Sequence, residues 1–277
     1  MEIRDRMEQI DKHRFFTMAE AYERMCQRLV PGYDFLQDEV LRVVAADEKC
    51  DMTVVDLGAG SGIFLEKALS RWPGAKAYWV DYSQDFLSVA QEKLARFDGR
   101  IRYAQVSFDD DWESQVEGQA DLIFSMSAIH HLENADKKRL YQRCFDKLAP
   151  GGWLFNVDEM KTLHQEGYLA NMRFWVRHVE DAGCRIQEAR CRKQEAGSKT
   201  AEEQWLYYQK WRSHFDNWEL RNVVNVDVPK TKGDDIHEHF AAQVDWLREI
   251  GFADADVYLK YHLWCAIGGR KPVSKEF

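Results

Sequence analysis

The sequence predicts a doubly wound α/β fold, in which helices cover both faces of a mostly parallel sheet. Short apolar runs alternate with amphipathic helical runs between Met52 and Val157, which is the order typical of parallel sheets. The strand-length runs are apolar throughout, as expected for strands that are covered on both faces. A glycine-rich turn at residues 58–62 directly follows the first strand.

Two amphipathic helical runs within residues 1–50 precede the sheet. Apolar side chains recur at helical spacing from Phe15 to Leu29, and Pro31-Gly32 breaks the pattern before a second run begins at Phe35. We interpret this region as an N-terminal helical cover of the sheet.

The α/β domain is predicted to comprise residues 51–160 and 236–277. Its first five strands are predicted at residues 53–57, 75–80, 101–108, 121–127 and 153–157. The helices between them are predicted at residues 63–72, 84–94 and 137–148, and Ser83 is expected to cap the second one. After a helix at 240–250, apolar runs at 256–261 and 263–268 follow with almost no loop, which requires an antiparallel hairpin.

Residues 161–235 interrupt the alternation of strands and helices. This segment is charged, helical in pattern and rich in aromatic residues. It is too long for an ordinary connection within such a sheet, so we predict a helical insertion rather than a separate domain.

The composition is ordinary for a globular protein, with 45% hydrophobic and 31% charged residues. The net charge of −9 does not favour binding to nucleic acid or to an anionic membrane. No run has the length of a transmembrane helix or the pattern of a secretory signal. The six cysteines lack the spacing of a zinc site. We therefore expect a cytoplasmic protein without a bound metal, either a monomer or a homodimer.

Gly58, Gly60 and Gly62 lie between a strand and a helix, where they allow a tight turn against which a ligand can lie. The free N–H groups of the helix start face such a ligand. A dinucleotide-binding loop has the spacing G-x-G-x-x-G, and Ile63 occupies the position of its third glycine. A Walker loop is also excluded, because no Gly-Lys-Ser/Thr follows.

Two acidic residues accompany the glycine loop. Asp81 ends the second strand, where a carboxylate can accept hydrogen bonds from both hydroxyls of a ribose. The alternative is that Asp81 caps the following helix. Asp56 heads the loop, and it either orders the backbone of the loop or contacts the ligand directly.

Five motifs, taken in order, resemble those of the class I S-adenosylmethionine (SAM)-dependent methyltransferases, in particular those that act on small molecules. They lie at residues 54–62, 80–83, 121–125, 130–132 and 148–152. The resemblance extends over roughly residues 30–160 and 240–271. It implies a Rossmann-like methyltransferase fold, with a seven-stranded sheet that contains one antiparallel strand.

The resemblance also implies a site for SAM. Asp81 would hold the ribose, Tyr82 would pack on the adenine, and Ser125 would face the sulfonium through its backbone. Asp109 is the first of three consecutive acids, one of which would bind the adenine amine. The cofactor-binding residues implied are Asp56, Gly58, Ala59, Gly60, Gly62, Asp81, Tyr82, Ser107, Phe108, Asp109 and Ser125.

The N-terminal helices resemble those that close over SAM in small-molecule members and in carboxy-SAM-forming relatives. Tyr22 and Tyr33 would then touch the methionyl carboxylate or cover the site. The alternative is that both tyrosines only pack within amphipathic helices.

Methyl transfer from SAM is an in-line displacement at an activated carbon, so the protein mainly positions the reactants and excludes water. A base is needed only where the acceptor loses a proton. The candidates are His130, His131, Asp158 and Glu159, which follow the fourth and fifth strands. The histidines act either as a base or as structural groups. Glu159 takes a proton, binds an amine or only complements a helix start.

The aromatic residues of the insertion are the predicted acceptor site. Trp175, Trp205, Tyr208 and Trp211 can wall a flat or apolar pocket or cage a cation, or they can form the core of the insertion. The sequence thus predicts SAM-dependent O- or N-methylation of a small molecule. The alternatives are a tRNA- or protein-modifying methyltransferase, and a carboxy-SAM-type or non-catalytic SAM-binding relative.

Overall fold

The computed structural model describes residues 17–44, 51–194, 199–231 and 234–273. In this part of the chain, seven strands form one sheet in the order β3-β2-β1-β4-β5-β7-β6. The strands are β1 (Thr53–Leu57), β2 (Lys76–Asp81), β3 (Ile101–Gln105), β4 (Ala120–Met126), β5 (Leu148–Glu159), β6 (Ala253–Tyr261) and β7 (Trp264–Arg270).

The sheet is parallel except at β7, which is antiparallel to both of its neighbours, β5 and β6. The predicted closing hairpin is confirmed: Tyr261 pairs with Trp264 across a turn in which His262 has a φ of 52°. The mostly parallel, seven-stranded fold predicted from the sequence is therefore correct.

Helices cover both faces of the sheet, and the apolar core is divided between them. One face carries α1 (Met18–Leu29), α2 (Tyr33–Val43), α3 (Ile63–Arg71), α4 (Gln84–Leu94), α6 (Gln165–Gln194) and α7 (Lys199–Glu219). The other face carries α5 (Asn134–Lys147) and α8 (Phe240–Ile250). Neighbouring residues in β1 point into opposite cores, as Val54 and Val55 do, so the sheet is doubly wound.

The N-terminal helix α1 begins with a reciprocal cap, in which the side chains of Thr17 and Glu20 each bond the backbone of the other residue. The Lys93 Nζ of α4 lies 2.5 Å from the Glu23 carboxylate of α1, which holds α1 beside the glycine loop. The predicted start of this helix at Phe15 lies outside the described residues.

The insertion consists mainly of the antiparallel helices α6 and α7, followed by a π-helical turn at Leu220–Val224. The Trp175 Nε1 of α6 donates to the Leu29 carbonyl at 2.7 Å, which joins the insertion to the N-terminal cover. Within the described ranges, no helix combines the length and the apolar character needed to cross a membrane.

Several predicted strand boundaries differ from the structure, and the largest differences are in the third and fifth strands. The third strand ends at Gln105 instead of residue 108, because the chain turns at Ser107, whose Oγ accepts from the Asp109 N–H at 3.2 Å. The fifth strand begins at Leu148 instead of Trp153, because Leu148 already pairs with Ala120 of β4 directly after α5.

Candidate active site

The turn after β1 brings bare backbone to the carboxyl end of the sheet. Gly58, Gly60 and Gly62 have φ values of 70°, 52° and 78°, a region that favours glycine. A Cβ added at Gly60 would meet no described atom closer than the Phe86 ring at 3.8 Å. The space beside Gly60 is therefore open to a ligand.

The Asp81 carboxylate is fixed by the loop that it supports. Its two oxygens accept from the Gly60 N–H and the Ser83 N–H, each at 2.9 Å. A carboxylate can accept about four hydrogen bonds, so both oxygens keep acceptor capacity for a diol. Burial raises the pKa of Asp81, and these backbone hydrogen bonds oppose the rise. Ser83, whose Oγ accepts from the Phe86 N–H at 3.3 Å, is the helix cap as predicted.

Asp56 lies within β1 and is only 2% exposed. Its Oδ2 atom has no hydrogen-bond partner among the described residues. Burial and the charge of Asp81 raise the pKa of Asp56 well above its ordinary value. On the neighbouring strand β4, the buried Ser125 donates its Oγ hydrogen to the Leu57 carbonyl at 2.6 Å, which locks the base of the loop.

Aromatic side chains flank the opposite end of the loop. The Tyr82 ring is 73% exposed, so its face is available for stacking. The half-buried Phe108 ring lies 3.3 Å from the place of a Cβ on Gly58. Arg143 Nη1 donates to the Phe108 carbonyl at 2.9 Å and holds this segment in place. Contact of these residues with adenine stays a prediction.

Tyr22 of α1 and Tyr33 of α2 lie together in the N-terminal cover, next to the glycine loop. Each phenol is close enough to influence the pKa of the other, and the Tyr22 ring meets the Phe86 ring edge-on at 5.8 Å. Burial raises the pKa of both phenols, which therefore remain protonated donors. Next to them, Gln37 Nε2 lies 3.2 Å from Met126 Sδ, and the buried Gln37 Oε1 lacks a partner among the described residues.

A buried cluster of charged groups occupies the carboxyl ends of β4 and β5. His130 Nδ1 lies 2.6 Å from Asp158 Oδ1, and the His130 N–H donates to Asp158 Oδ2 at 2.8 Å. His130 Nε2 and His131 Nδ1 lie 3.5 and 3.3 Å from Asp235 Oδ1. Burial lowers the pKa of His130, but the charges of Asp158 and Glu159 outweigh it and raise this pKa well above its ordinary value.

Glu159 ends β5 and faces a third histidine. Its Oε2 lies 3.0 Å from His237 Nε2, and neither atom makes an aligned hydrogen bond within the described ranges. The Tyr168 hydroxyl lies 2.5 Å from His237 Nδ1. The structure thus places two of the predicted catalytic residues, His130 and Glu159, in one buried polar group, with His131 half-exposed at its edge.

Residues 54–152 match a family model described as a methyltransferase domain. The matched range runs from β1 through the glycine loop, Asp81 and the two histidines to the start of β5. This part of the chain is a methyltransferase domain.

Curated relatives resemble part of the chain. Over 105 residues it is 34% identical to trans-aconitate 2-methyltransferase of Pseudomonas aeruginosa, a match that covers 38% of this chain and 35% of that protein. Over 112 residues it is 28% identical to malonyl-[acyl-carrier protein] O-methyltransferase 2 of Ilyobacter polytropus, with 40% and 41% covered. The match thus spans well under half the length of these relatives, and it shows the methyltransferase domain rather than an acceptor.

Solved structures match over most of the chain. An O-methyltransferase family protein from Burkholderia thailandensis has a TM-score of 0.56 and 15% identity, over 93% of this chain and 58% of that chain. Human N-acetylserotonin methyltransferase in complex with SAM has a TM-score of 0.52 and 17% identity, over 93% and 57%. At this level of identity, the likeness shows that the methyltransferase fold is shared.

A cleft of about 390 Å³ lies where the methyltransferase domain meets the insertion. Its walls are mainly polar and come from the segment after β5, from α6 and from the return of the insertion to the sheet. The lining residues are Lys161, Thr162, Leu163, Gln165, Tyr168, Asn222, Val226, Asp227, Lys230, Asp235, Ile236, His237 and His239.

The predicted acceptor residues lie elsewhere in the insertion. Trp175, Tyr208 and Trp211 are buried, and Trp175 packs against Trp211 and against Trp264 of the sheet. Trp205 is half-buried and stacks on Tyr208 with ring centroids 5.4 Å apart. The four side chains are thus part of the packing of the insertion, and their contact with an acceptor stays a prediction.

Asp235, His237 and Tyr168 were not predicted as site residues of the methyltransferase domain. Tyr168 and Asp235 come from the insertion and His237 directly follows it, where the chain folds back over the ends of β4 and β5. A local signal for two of them exists: acidic and histidine residues alternate with one another in the segment 235–239, directly before α8. Such an alternation is unusual for a plain connection and marks the return of the insertion as a candidate site.

Proposed function

We propose that the protein is an enzyme that transfers a methyl group from SAM to an oxygen or nitrogen atom of a small molecule. The observation that carries this proposal is the geometry of the glycine loop and Asp81 within a methyltransferase domain. Asp81 is held by two backbone N–H groups at the end of β2, beside the open backbone of Gly60.

The residues around the loop fit the parts of SAM. The Asp81 oxygens keep acceptor capacity for the two ribose hydroxyls, and the exposed Tyr82 ring offers a face to the adenine. The protonated phenols of Tyr22 and Tyr33 suit a carboxylate. When bound, SAM supplies a methyl carbon that is already activated by its sulfonium.

Glu159 is the proposed base for a methyl acceptor that loses a proton. The charge of its buried carboxylate is one of the causes that raise the pKa of the Tyr22 phenol. This supports a position of Glu159 close to the N-terminal cover. His237 lies 3.0 Å from the same carboxylate and lines the cleft, so the two residues connect the cleft to the interior. Excluding water from such a group strengthens its interaction with the substrate.

The cleft beside Asp235 and His237 is the proposed acceptor site, with the aromatic insertion as its support. Its lysine, histidine, tyrosine and carboxylate groups suit a polar small molecule. One relative is named for trans-aconitate, and a polar acceptor of that size is compatible with a cleft of about 390 Å³.

The cofactor site is tested by substituting Asp81. We expect Asp81→Ala to weaken SAM affinity by about 1–3 kcal/mol, the scale of lost hydrogen bonds to a charged group, in isothermal titration calorimetry. Asp85→Ala, an exposed acid on the following helix, is the matched control and should bind SAM as the wild type does. Unchanged affinity in Asp81→Ala would contradict the ribose assignment.

The acceptor class is tested with methyl-labelled SAM and a fractionated cell extract. We expect label in the small-molecule fraction, and loss of most of this transfer in Glu159→Gln with SAM affinity retained. Label found only in the RNA or protein fraction would overturn the small-molecule assignment. Mass spectrometry of any ligand that co-purifies distinguishes SAM from a carboxylated derivative.

A further inference from the structure

Three side chains converge where the insertion returns to the sheet: His130, His131 and Asp235. One nitrogen of each histidine and one oxygen of Asp235 all lie within 4.8 Å of one another. The Asp235 Oδ1 atom is 3.5 Å from His130 Nε2 and 3.3 Å from His131 Nδ1. Neither histidine is near Asp235 in the sequence, so the group exists only in the folded chain.

These separations have the size of the edge of a metal coordination sphere. Zn²⁺ binds imidazole nitrogen and carboxylate oxygen at about 2.0–2.2 Å, usually with tetrahedral geometry. Two ligand atoms of such a tetrahedron are then about 3.4 Å apart. Both distances to Asp235 Oδ1, 3.5 and 3.3 Å, lie within a tenth or so of an ångström of that value.

Each of the two inner ligands is oriented by a second group. His130 Nδ1 lies 2.6 Å from the Asp158 carboxylate. This leaves His130 Nε2, which faces Asp235, as the nitrogen whose lone pair can bind a metal ion. Asn222 Nδ2 donates to Asp235 Oδ2 at 2.9 Å, which turns Oδ1 toward the histidines. Hydrogen bonds of this kind, in which the far ring nitrogen of a histidine donates to a carboxylate, are typical of metal ligands.

The group also has a path to solvent. The His130 side chain is 6% exposed, Asp235 is 16% exposed and His131 is 49% exposed. Asp235 also lines the cleft. A metal ion held by these three atoms would therefore keep one coordination position directed toward the cleft or the solvent.

We propose that His130, His131 and Asp235 bind one divalent transition-metal ion of the Zn²⁺ class. Imidazole and carboxylate donors suit this class of ion, and the fourth position takes water or an oxygen of a molecule in the cleft. The site does not depend on the proposed methyl transfer, because its ligands and geometry are independent of the glycine loop. The competing arrangement is a proton-based network, in which His130 is an imidazolium between Asp158 and Asp235.

The experiment is a titration of the chelator-treated full chain with Zn²⁺ by calorimetry, and with Co²⁺ by visible absorption. We expect one ion per chain and a Co²⁺ spectrum of four-coordinate type. The loss of an outer-sphere partner of a metal ligand costs about 10–100-fold in metal affinity. His131→Gln and Asp235→Asn each remove a ligand and should therefore weaken metal binding by more than that. His214→Gln, an exposed histidine of α7, is the control and should bind as the wild type does.

Circular dichroism and thermal unfolding establish that each variant is folded. If Asp235→Asn does not fold, His131→Gln decides the question alone, because the His131 side chain is half-exposed. Absence of binding to the wild type would overturn the metal site in favour of the proton network. Wild-type affinity in the folded His131→Gln variant would overturn it as well. Neither readout involves SAM or a methyl acceptor, so failure of the metal site leaves the proposed methyl transfer untouched.

Discussion

Gly58 occupies a position where the backbone and a neighbour both exclude a side chain. Its φ is 70°, and an ideal Cβ would lie 2.4 Å from the Ala128 Cβ. Left-handed strain costs about 1–2 kcal/mol and overpacking about 1–3 kcal/mol. We therefore expect Gly58→Ala to lower the free energy of unfolding by about 2–5 kcal/mol and to weaken SAM binding, as measured by urea denaturation and calorimetry.

Gly99 provides the matched control for this substitution. Its φ is 81°, and no described atom lies within 4 Å of an added Cβ. Gly99→Ala should therefore cost only the backbone strain of about 1–2 kcal/mol and leave SAM affinity unchanged. If the two variants lose equal stability, the contact with Ala128 relaxes without cost and the steric account of the loop is wrong.

At the scale of single residues, local signals were sufficient to predict the glycine loop and the side chains next to it. Ser83 caps α4 as its position before an amphipathic run predicts, and Asp81 lies at the end of β2 next to the glycines. The other side depends on partners that are distant in the sequence. His130 meets Asp235 only because the insertion folds back over the sheet, and no spacing within the sequence encodes that contact.

At the scale of elements, the insertion is a pair of helices with an aromatic interior. Trp211 is 4% exposed, and its ring stacks on Phe215 at 5.0 Å. We expect Trp211→Ala to destabilise the protein by about 3–5 kcal/mol, since a buried ring leaves a cavity. Urea denaturation of the variant measures this loss.

Trp205 is the contrasting residue of the same helix. It is half-buried on Tyr208, so Trp205→Ala should cost clearly less stability than Trp211→Ala. With the labelled acceptor in hand, we expect its KM to rise more than the Kd for SAM. A stability loss as large as that of Trp211→Ala would assign Trp205 to the core and would remove it from the acceptor site.

The strands and helices themselves were predictable where an apolar pattern repeats over several turns or residues. The continuous run from Thr53 to Leu57 became the central strand β1, and the two closing runs became the hairpin of β6 and β7. Boundaries set by turns were less predictable. Leu148 joins the sheet directly after α5 because it pairs with Ala120, the first residue of β4. This tertiary contact makes the Pro-Gly-Gly segment that follows part of the strand instead of a loop.

At the scale of the whole molecule, the insertion, the N-terminal cover and the sheet share one core. Trp175 of α6 donates to the Leu29 carbonyl of α1 and packs edge-on against Trp264 of β7, with centroids 4.6 Å apart. The three segments predicted from the sequence are therefore consecutive along the chain, but their apolar side chains pack into one common core. Because the same insertion supplies Asp235 and leads directly into His237, folding of this shared core also assembles the buried polar group.

Lys137 of α5 joins this helix to the segment in which the chain returns from the insertion to the sheet. It is 1% exposed, and its Nζ donates to the Ile236 carbonyl and to Asn134 Oδ1. Burial lowers the pKa of Lys137 from 10.5 to about 8, although the charges of Asp158 and Glu238 oppose the shift. Between these pH values the folded chain has released a proton that the unfolded chain still holds, so stability rises with pH across this window.

Lys137→Met removes this titration and gives the prediction its test. From pH 8 to pH 10.5, the free energy of unfolding of the wild type should rise by roughly 3 kcal/mol relative to the variant. Below pH 8 the difference between the two proteins should be constant, because the lysine is protonated in both states. Lys138→Met, a half-exposed lysine on the same helix, should follow the wild type in urea denaturation at each pH. Parallel curves for the wild type and Lys137→Met would show that Lys137 stays charged in the folded protein.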